Sequence, residues 1–260
     1  MRPRVIHGTP ITPKAVLDQL AGESFCVSFA DPRQLERCIE LQDPDGMLLL
    51  DNGAFSHWKS GKGQIDREAF FDWANDAQRF CDVAVAVIPD VIGGSEEQNW
   101  AEAMLAVRYY SDCPERLMFC WHMNDSIDQL KRAALVFNFI AIGSCAEYDV
   151  QTNPKGYRAR LRHASAVLDY VERFYGRRPW VHLMRGMAVL PKVIRFDSGD
   201  STNVARNHNR TQGQPQHAQA LARRIKRKLA MASRVMGKAY KTSNFAPADR
   251  QRALFGDPHE

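Results

Sequence analysis

Short apolar runs recur along the chain, each closed by a polar or small residue and each followed by a segment whose apolar positions repeat at helical spacing. Val5–Ile6, Phe25–Phe29, Met47–Leu50, Val83–Ile88, Leu117–Trp121, Phe139–Ile142, Trp180–Leu183 and Val193–Phe196 read as strands. Continuous apolar runs of this length suit strands buried on both faces. Between them, single helical faces gather Val16, Leu17 and Leu20, then Leu35 and Ile39, then Phe70, Trp73, Ala77 and Phe80, then Trp100, Met104 and Val107, then Ile127, Leu130 and Ala134. Start signals agree with these faces. Thr12–Pro13 and Asp31–Pro32 pair a cap with a proline, Asp66 and Asp125 read as caps, and Ser95-Glu-Glu-Gln98 is a capping box. A longer helix is expected over about Tyr157–Phe174, and Gln214–Pro215 opens a last one with Leu221, Ile225 and Leu229 inside.

Strands alternating with helices predict parallel βαβ units, and about eight repeats predict a closed (β/α)8 TIM-type barrel. A doubly wound open sheet is the alternative, but the glycine-rich phosphate turn GxGxxG that such sheets carry after their first strand is absent. The expected organisation is one barrel over residues 1–240, including a basic C-terminal helix, and a tail over 241–260.

In a barrel, residues that end strands converge on one mouth, where catalytic groups gather. The strand-end residues read from the sequence are Asp51, Asp90, His122, Gly143, Ser144, Met184 and Asp197. A single aspartate after a strand is ordinarily a cap or a turn former. Three at one mouth point instead to paired-carboxylate chemistry, in which one group attacks a sugar C1′ and another moves a proton. Asp197 and Asp51 are the expected catalytic pair, with Asp200 a turn carboxylate. Phe55 and Met184 could enclose a flat base, the Gly143–Ser144 turn leaves room for backbone amides, and Asp90 and His122 could read the base edge. An ordinary glycoside hydrolase fits the same pair of carboxylates.

Charge sharpens the partner. The formal net charge is +5, with Arg223, Arg224, Lys226, Arg227 and Lys228 crowded near the C-terminus. Such a run suits a polyanion, and equally a solvated helix face. The six cysteines show no CxxC or Cys-x-His spacing, which predicts reduced thiols and no zinc knuckle, and no apolar run approaches bilayer length. A cytoplasmic protein without a membrane partner is expected, acting without cofactor or metal.

With these residues in place, the chain resembles the tRNA-guanine transglycosylase superfamily, and by its length is most similar to the phage DNA-guanine transglycosylase branch. Asp51-Asn-Gly-Ala-Phe55 matches the family's DSGG-aromatic motif. Phe196–Asp197 with Thr202, Ala205, Arg206 and Asn207 matches its nucleophile segment. Asp90 in IPD, Gly143–Ser144 and Leu183-Met184-Arg-Gly186 match its base-reading aspartate, glycine turn and LMG segment. The resemblance covers roughly residues 25 to 210. The family's cysteine-rich zinc site has no counterpart, and Asn52 and Ala54 replace a serine and a glycine of the motif.

The resemblance implies exchange of guanine in a polynucleotide for a 7-deazaguanine such as 7-cyano-7-deazaguanine, through a covalent bond between Asp197 and C1′, with no cofactor. DNA that is single-stranded or carries a flipped base is the expected polymer partner, held by Arg206, Arg210, Arg223, Arg224 and Arg227, and the free 7-deazaguanine is the second substrate. A tRNA enzyme of the same chemistry, a non-catalytic barrel that binds nucleic acid or a deazapurine, and a base-excising or nucleoside-hydrolysing barrel stay open.

Overall fold

The computed structural model describes residues 3–143, 145, 147–184, 195–207 and 218–229. Eight parallel strands close into a barrel in sequence order: β1 (Arg4–Gly8), β2 (Ser24–Ser28), β3 (Leu48–Asp51), β4 (Ala84–Val87), β5 (Leu117–His122), β6 (Phe139–Gly143), β7 (Trp180–Leu183) and β8 (Ser198–Ser201), with β8 pairing back to β1. The expected TIM-type barrel is therefore the fold.

Helices follow the strands: α1 (Lys14–Asp18), α2 (Leu35–Leu41), α3 (Ala54–Lys59), α4 (Arg67–Phe80), α5 (Glu96–Leu105), α6 (Ile127–Val136), α7 (Pro154–Tyr175), α8 (Asn203–Asn207) and α9 over 218–229. Their starts follow side-chain chemistry. The Asp66 carboxylate accepts the Ala69 N–H, and Ser95 and Gln98 cap each other's backbone in a full capping box. Three expected caps sit elsewhere. Ser126, not Asp125, caps α6, while Asp125 accepts the backbone N–H of His122. Pro13 precedes α1 without a side-chain cap, and α2 begins after Gln34, whose amide instead bonds both backbone groups of Ile11.

Alternation along the strands sorts side chains into two apolar layers. Phe25, Val27, Leu48, Leu50, Ala84, Ala86, Phe119, Ile140 and Val181 face the helices, while Ile6, Met47, Leu49, Val85, Val87, Met118 and Ala141 fill the barrel interior. Each fully buried Leu or Phe contributes on the order of 1.5–3 kcal/mol, so the two layers fix where the strand ends stand.

One strand differs from expectation. The apolar run over 193–196 does not form β8. Arg195 and Phe196 are irregular backbone, residues 193 and 194 lie outside the described set, and β8 is the polar Ser198-Gly-Asp-Ser201. Phe196 is instead buried in the apolar layer that the helices cover.

Among the described residues no helix is long and apolar enough to cross a membrane, and all six cysteines carry free thiols.

Candidate active site at the C-terminal mouth

The shift of β8 sets Asp197 and Asp200 toward opposite ends of the barrel. Asp197 precedes β8 and sits at the N-terminal rim. Its backbone N–H donates to Val181 O and its carbonyl accepts from Arg4 N, both at 2.8 Å. Its carboxylate accepts from Arg178 Nη1 and from Val181 N, each at 2.9 Å. The backbone N–H, carbonyl and Oδ2 of Asp197 thus tie β7, β8 and β1 together at the end away from the mouth. The expectation that Asp197 ends a strand among the catalytic groups is corrected. Three residues of strand, roughly 10 Å, separate it from the place it was assigned.

Asp200 occupies that place. It is the inward-facing residue near the C-terminal end of β8, and it lines a cavity of about 360 Å³ together with Asp51, Asp90, His122, Gly143 and Met184. A cavity of this volume falls within the usual range of small-molecule sites. Five of the expected strand-end residues therefore converge, and Phe55 stands at the cavity's edge, 43 % exposed. Ser144 lies outside the described residues. His182, Ser28, Cys26, Gly8 and Thr9 also line the cavity and went unread in the sequence. One signal was available: Ser198, Asp200 and Thr202 alternate with period two, as inward positions of a strand do.

Local sequence explains the mouth's shape. Asp51 ends β3, and Asn52 turns inward, donating from Nδ2 to Ile88 O at 2.9 Å and to Asp90 Oδ1 at 3.3 Å, while its Oδ1 accepts the Ala54 N–H at 2.8 Å. Gly53 follows with φ +72°, and a Cβ there would meet Ala30 N at 2.9 Å, so this turn requires glycine. Asn52 thus spends its amide fixing the base of Asp90. The other Asp90 oxygen, Oδ2, lies 3.0 Å from His122 Nε2. Gly143 leaves space for that histidine, since a Cβ would stand 3.1 Å from His122 Nδ1 and 3.4 Å from Cys120 Sγ.

The titratable groups are unequal. Burial raises the Asp51 carboxyl above the ordinary aspartate range; the nearby Ser28 hydroxyl and Gly53 N–H oppose this, while the charges of Asp200 and Asp90 add to it. Burial, with Asp51 and Asp200, pushes the Cys26 thiol up, and burial does the same to Cys120. The His122 imidazole is raised by the Cys120 sulfur when that is ionised, and by its hydrogen bond to Asp90. Because burial keeps the Cys120 thiol protonated at neutral pH, Asp90 is the partner that counts there.

Among the described residues one set has metal-ligand atoms close together, Asp90, Cys120 and His122, all within 4.8 Å of one another. His122 lies between the other two, with Nε2 on Asp90 and Nδ1 toward Cys120, and Met184 Sδ is 3.9 Å from Cys120 Sγ. The contacts form a hydrogen-bonded series leading to Asp90, whose remaining lone pairs can still accept N–H groups from a base edge.

The expected polymer-binding cations divide. Arg206, exposed on α8, follows directly on β8 at the mouth side. Arg210 lies outside the described residues. Arg223, Arg224 and Arg227 are exposed on α9, whose buried face is Ala218, Ala222, Ile225 and Leu229. Lys226 on the same helix pairs at 2.6 Å with Glu23, the residue before β2, so this part of α9 runs beside the N-terminal rim and not the mouth. At the mouth itself, α3 presents Phe55 and Trp58, 43 % and 56 % exposed, with ring centroids 5.8 Å apart.

No protein-family model matches the chain, and no curated protein matches it. Solved structures do. A mandelate oxidase bound to benzoyl-formic acid superposes with a TM-score of 0.55 at 12 % identity, covering 89 % of this chain and 74 % of that one. Tryptophan synthase from M. tuberculosis, in an open form, superposes with a TM-score of 0.47 at 11 % identity, covering 89 % of this chain and 92 % of the other. At 12 % identity the likeness to the oxidase is one of fold alone.

Proposed function

We propose that the protein is a guanine transglycosylase acting on DNA, with Asp200 rather than Asp197 as the nucleophile. The observation that carries this reading is the pairing of Asp51 and Asp200 at the ends of β3 and β8 around one cavity, with Asp51 raised by burial and by the charge of Asp200. Of two carboxylates so placed, the one raised by burial is suited to carry a proton and its partner to attack as the anion.

The Asp200 carboxylate attacks C1′ of the target nucleotide. The C1′–N9 bond breaks, its electron pair leaves with guanine, and the proton held by Asp51 passes to the departing base. The incoming 7-deazaguanine then gives its N9 proton to Asp51, and N9 displaces Asp200 from C1′, restoring both groups. Asp90, fixed by Asn52 and His122, accepts the N–H groups of either base edge, while Phe55 and Met184 offer apolar surface to its faces. A duplex must release the base first, at a cost of a few kcal/mol, which favours single-stranded or flipped nucleotides.

Incubation with labelled 7-cyano-7-deazaguanine and separate pools of DNA and tRNA tests the reading. It expects label in DNA and a protein–DNA adduct, surviving denaturation, that Asp200→Asn abolishes. Label in tRNA alone would refute the choice of polymer, and abasic sites formed without added base would refute exchange.

A further inference from the structure

We propose that Trp180, Ser198 and His182 form a buried hydrogen-bond chain that fixes the tautomer of His182 and positions Asp200 for attack; this rests on the reading of Asp200 as the nucleophile.

The chain climbs the inner wall where β7 meets β8. Trp180 and His182 are inward-facing on β7, and Ser198 and Asp200 on β8, with His182 and Ser198 register partners. Trp180 Nε1 donates to Ser198 Oγ at 2.7 Å, and Ser198 Oγ lies 2.9 Å from His182 Nδ1. His182 Nε2 lies 3.5 Å from Asp200 Oδ1. His182 and Ser198 are both fully buried, and among the described residues Nε2 has no hydrogen-bond partner although it borders the cavity.

Direction follows from the two ends. The indole N–H can only donate, so Ser198 Oγ accepts there and its own proton is available for His182 Nδ1. With Nδ1 accepting, the ring proton is on Nε2 and faces the Asp200 carboxylate. The opposite tautomer would set the Nε2 lone pair against an anion. Only one direction therefore places a donor at Asp200, and the 3.5 Å gap is of the kind that closes when substrate engages the carboxylate.

An apolar barrel does not need this series. Around it the interior is Ile6, Met47, Leu49, Val85, Met118 and Ala141, and a buried imidazole among such neighbours costs free energy unless its nitrogens are used. Asp51 and Cys26 also face Asp200 across the mouth. Asp51 is the proton carrier and Cys26 a buried thiol, and His182 is the ring nitrogen on the wall that Asp200 shares.

The test combines kinetics with a measurement that needs no turnover. In single-turnover adduct formation, His182→Leu is expected to lower the rate constant about ten- to a hundredfold, the range for losing a hydrogen bond to a charged group, with half-saturation by DNA unchanged. His182→Gln, whose amide nitrogen reaches the Nε2 position, recovers most of the rate. Ser198→Ala and Trp180→Phe, which preserve packing, fall between. Ring nitrogen NMR of the free protein is expected to show His182 protonated on Nε2, with that preference lost in Ser198→Ala. The titration of the Asp200 carboxyl carbon should move to higher pH in both Ser198→Ala and His182→Leu. A ring protonated on Nδ1, or an Asp200 titration unmoved in these variants, would overturn the chain. If the NMR results hold but no polynucleotide forms an adduct, the transglycosylase reading fails and the hydrogen-bond chain stands.

Discussion

Removing Asp197 and Asp200 in turn separates structure from chemistry. Asp197→Ala deletes a carboxylate that accepts two hydrogen bonds at 2.9 Å, from Arg178 and from Val181, with 19 % of its side chain in water. Hydrogen bonds to charged groups are worth about 1.5–3 kcal/mol each, and the partial exposure argues for the lower end. The expected loss is about 3 kcal/mol, or roughly 6–12 °C in Tm for a domain of this size. Asp200→Asn removes an anion that repels Asp51, so its stability is expected to match or slightly exceed wild type while exchange falls about a thousandfold or more. Thermal and urea denaturation, paired with exchange assays on the folded protein, read both effects. Full stability with no activity in Asp197→Ala, alongside an active Asp200→Asn, would reverse the assignment and refute the reasoning.

Other perturbations probe separate parts of the mouth. Because the folded Asp51 carboxyl is raised, its ionisation opposes folding once pH exceeds the unfolded value of about 3.9. Asp51→Asn should therefore be more stable than wild type near neutrality, with a gap that closes as pH falls below about 4; a gap that widens in acid would contradict this. Gly143→Ala puts a methyl 3.1 Å from His122 Nδ1 and displaces the group that holds Asp90. Destabilisation of about 1 kcal/mol and a KM for base raised about tenfold are expected in steady-state assays. Trp58→Ala should weaken single-stranded DNA binding by about 1–3 kcal/mol, the worth of one stacked base, measured by fluorescence anisotropy; unchanged affinity would remove α3 from the binding surface. Binding by the wild type should fall steeply with added salt if Arg206 and its neighbours neutralise phosphates.

The barrel was legible because most of its strands carry a short continuous apolar run, the pattern that two-sided burial leaves in a sequence. Asp51, Asp90, His122, Gly143 and Met184 were legible for the same reason, each standing where such a run stops. β8 was not. Its inward positions are Ser198 and Asp200, and Ser-Gly-Asp-Ser carries the residues of a turn, while the apolar 193–196 segment before it imitates a strand. Reading that segment as β8 moved the mouth by the length of one strand and exchanged the roles of Asp197 and Asp200. His182 was hidden differently, since a histidine one residue before the end of an apolar run looks like core, and only β8's register shows what it faces.

The polar wall of β7 and β8 also bears on how this barrel can be improved. Filling the positions of Ser198 and His182 with well-packed aliphatic side chains would remove two buried polar groups and merge that wall with the apolar layer around Ile6 and Leu49. Selection for thermostability alone should drift toward such sequences, yielding tougher barrels that have lost their attacking group's support. Libraries built on this scaffold therefore need a screen for chemistry applied together with the screen for heat, because at this wall the two pull in opposite directions.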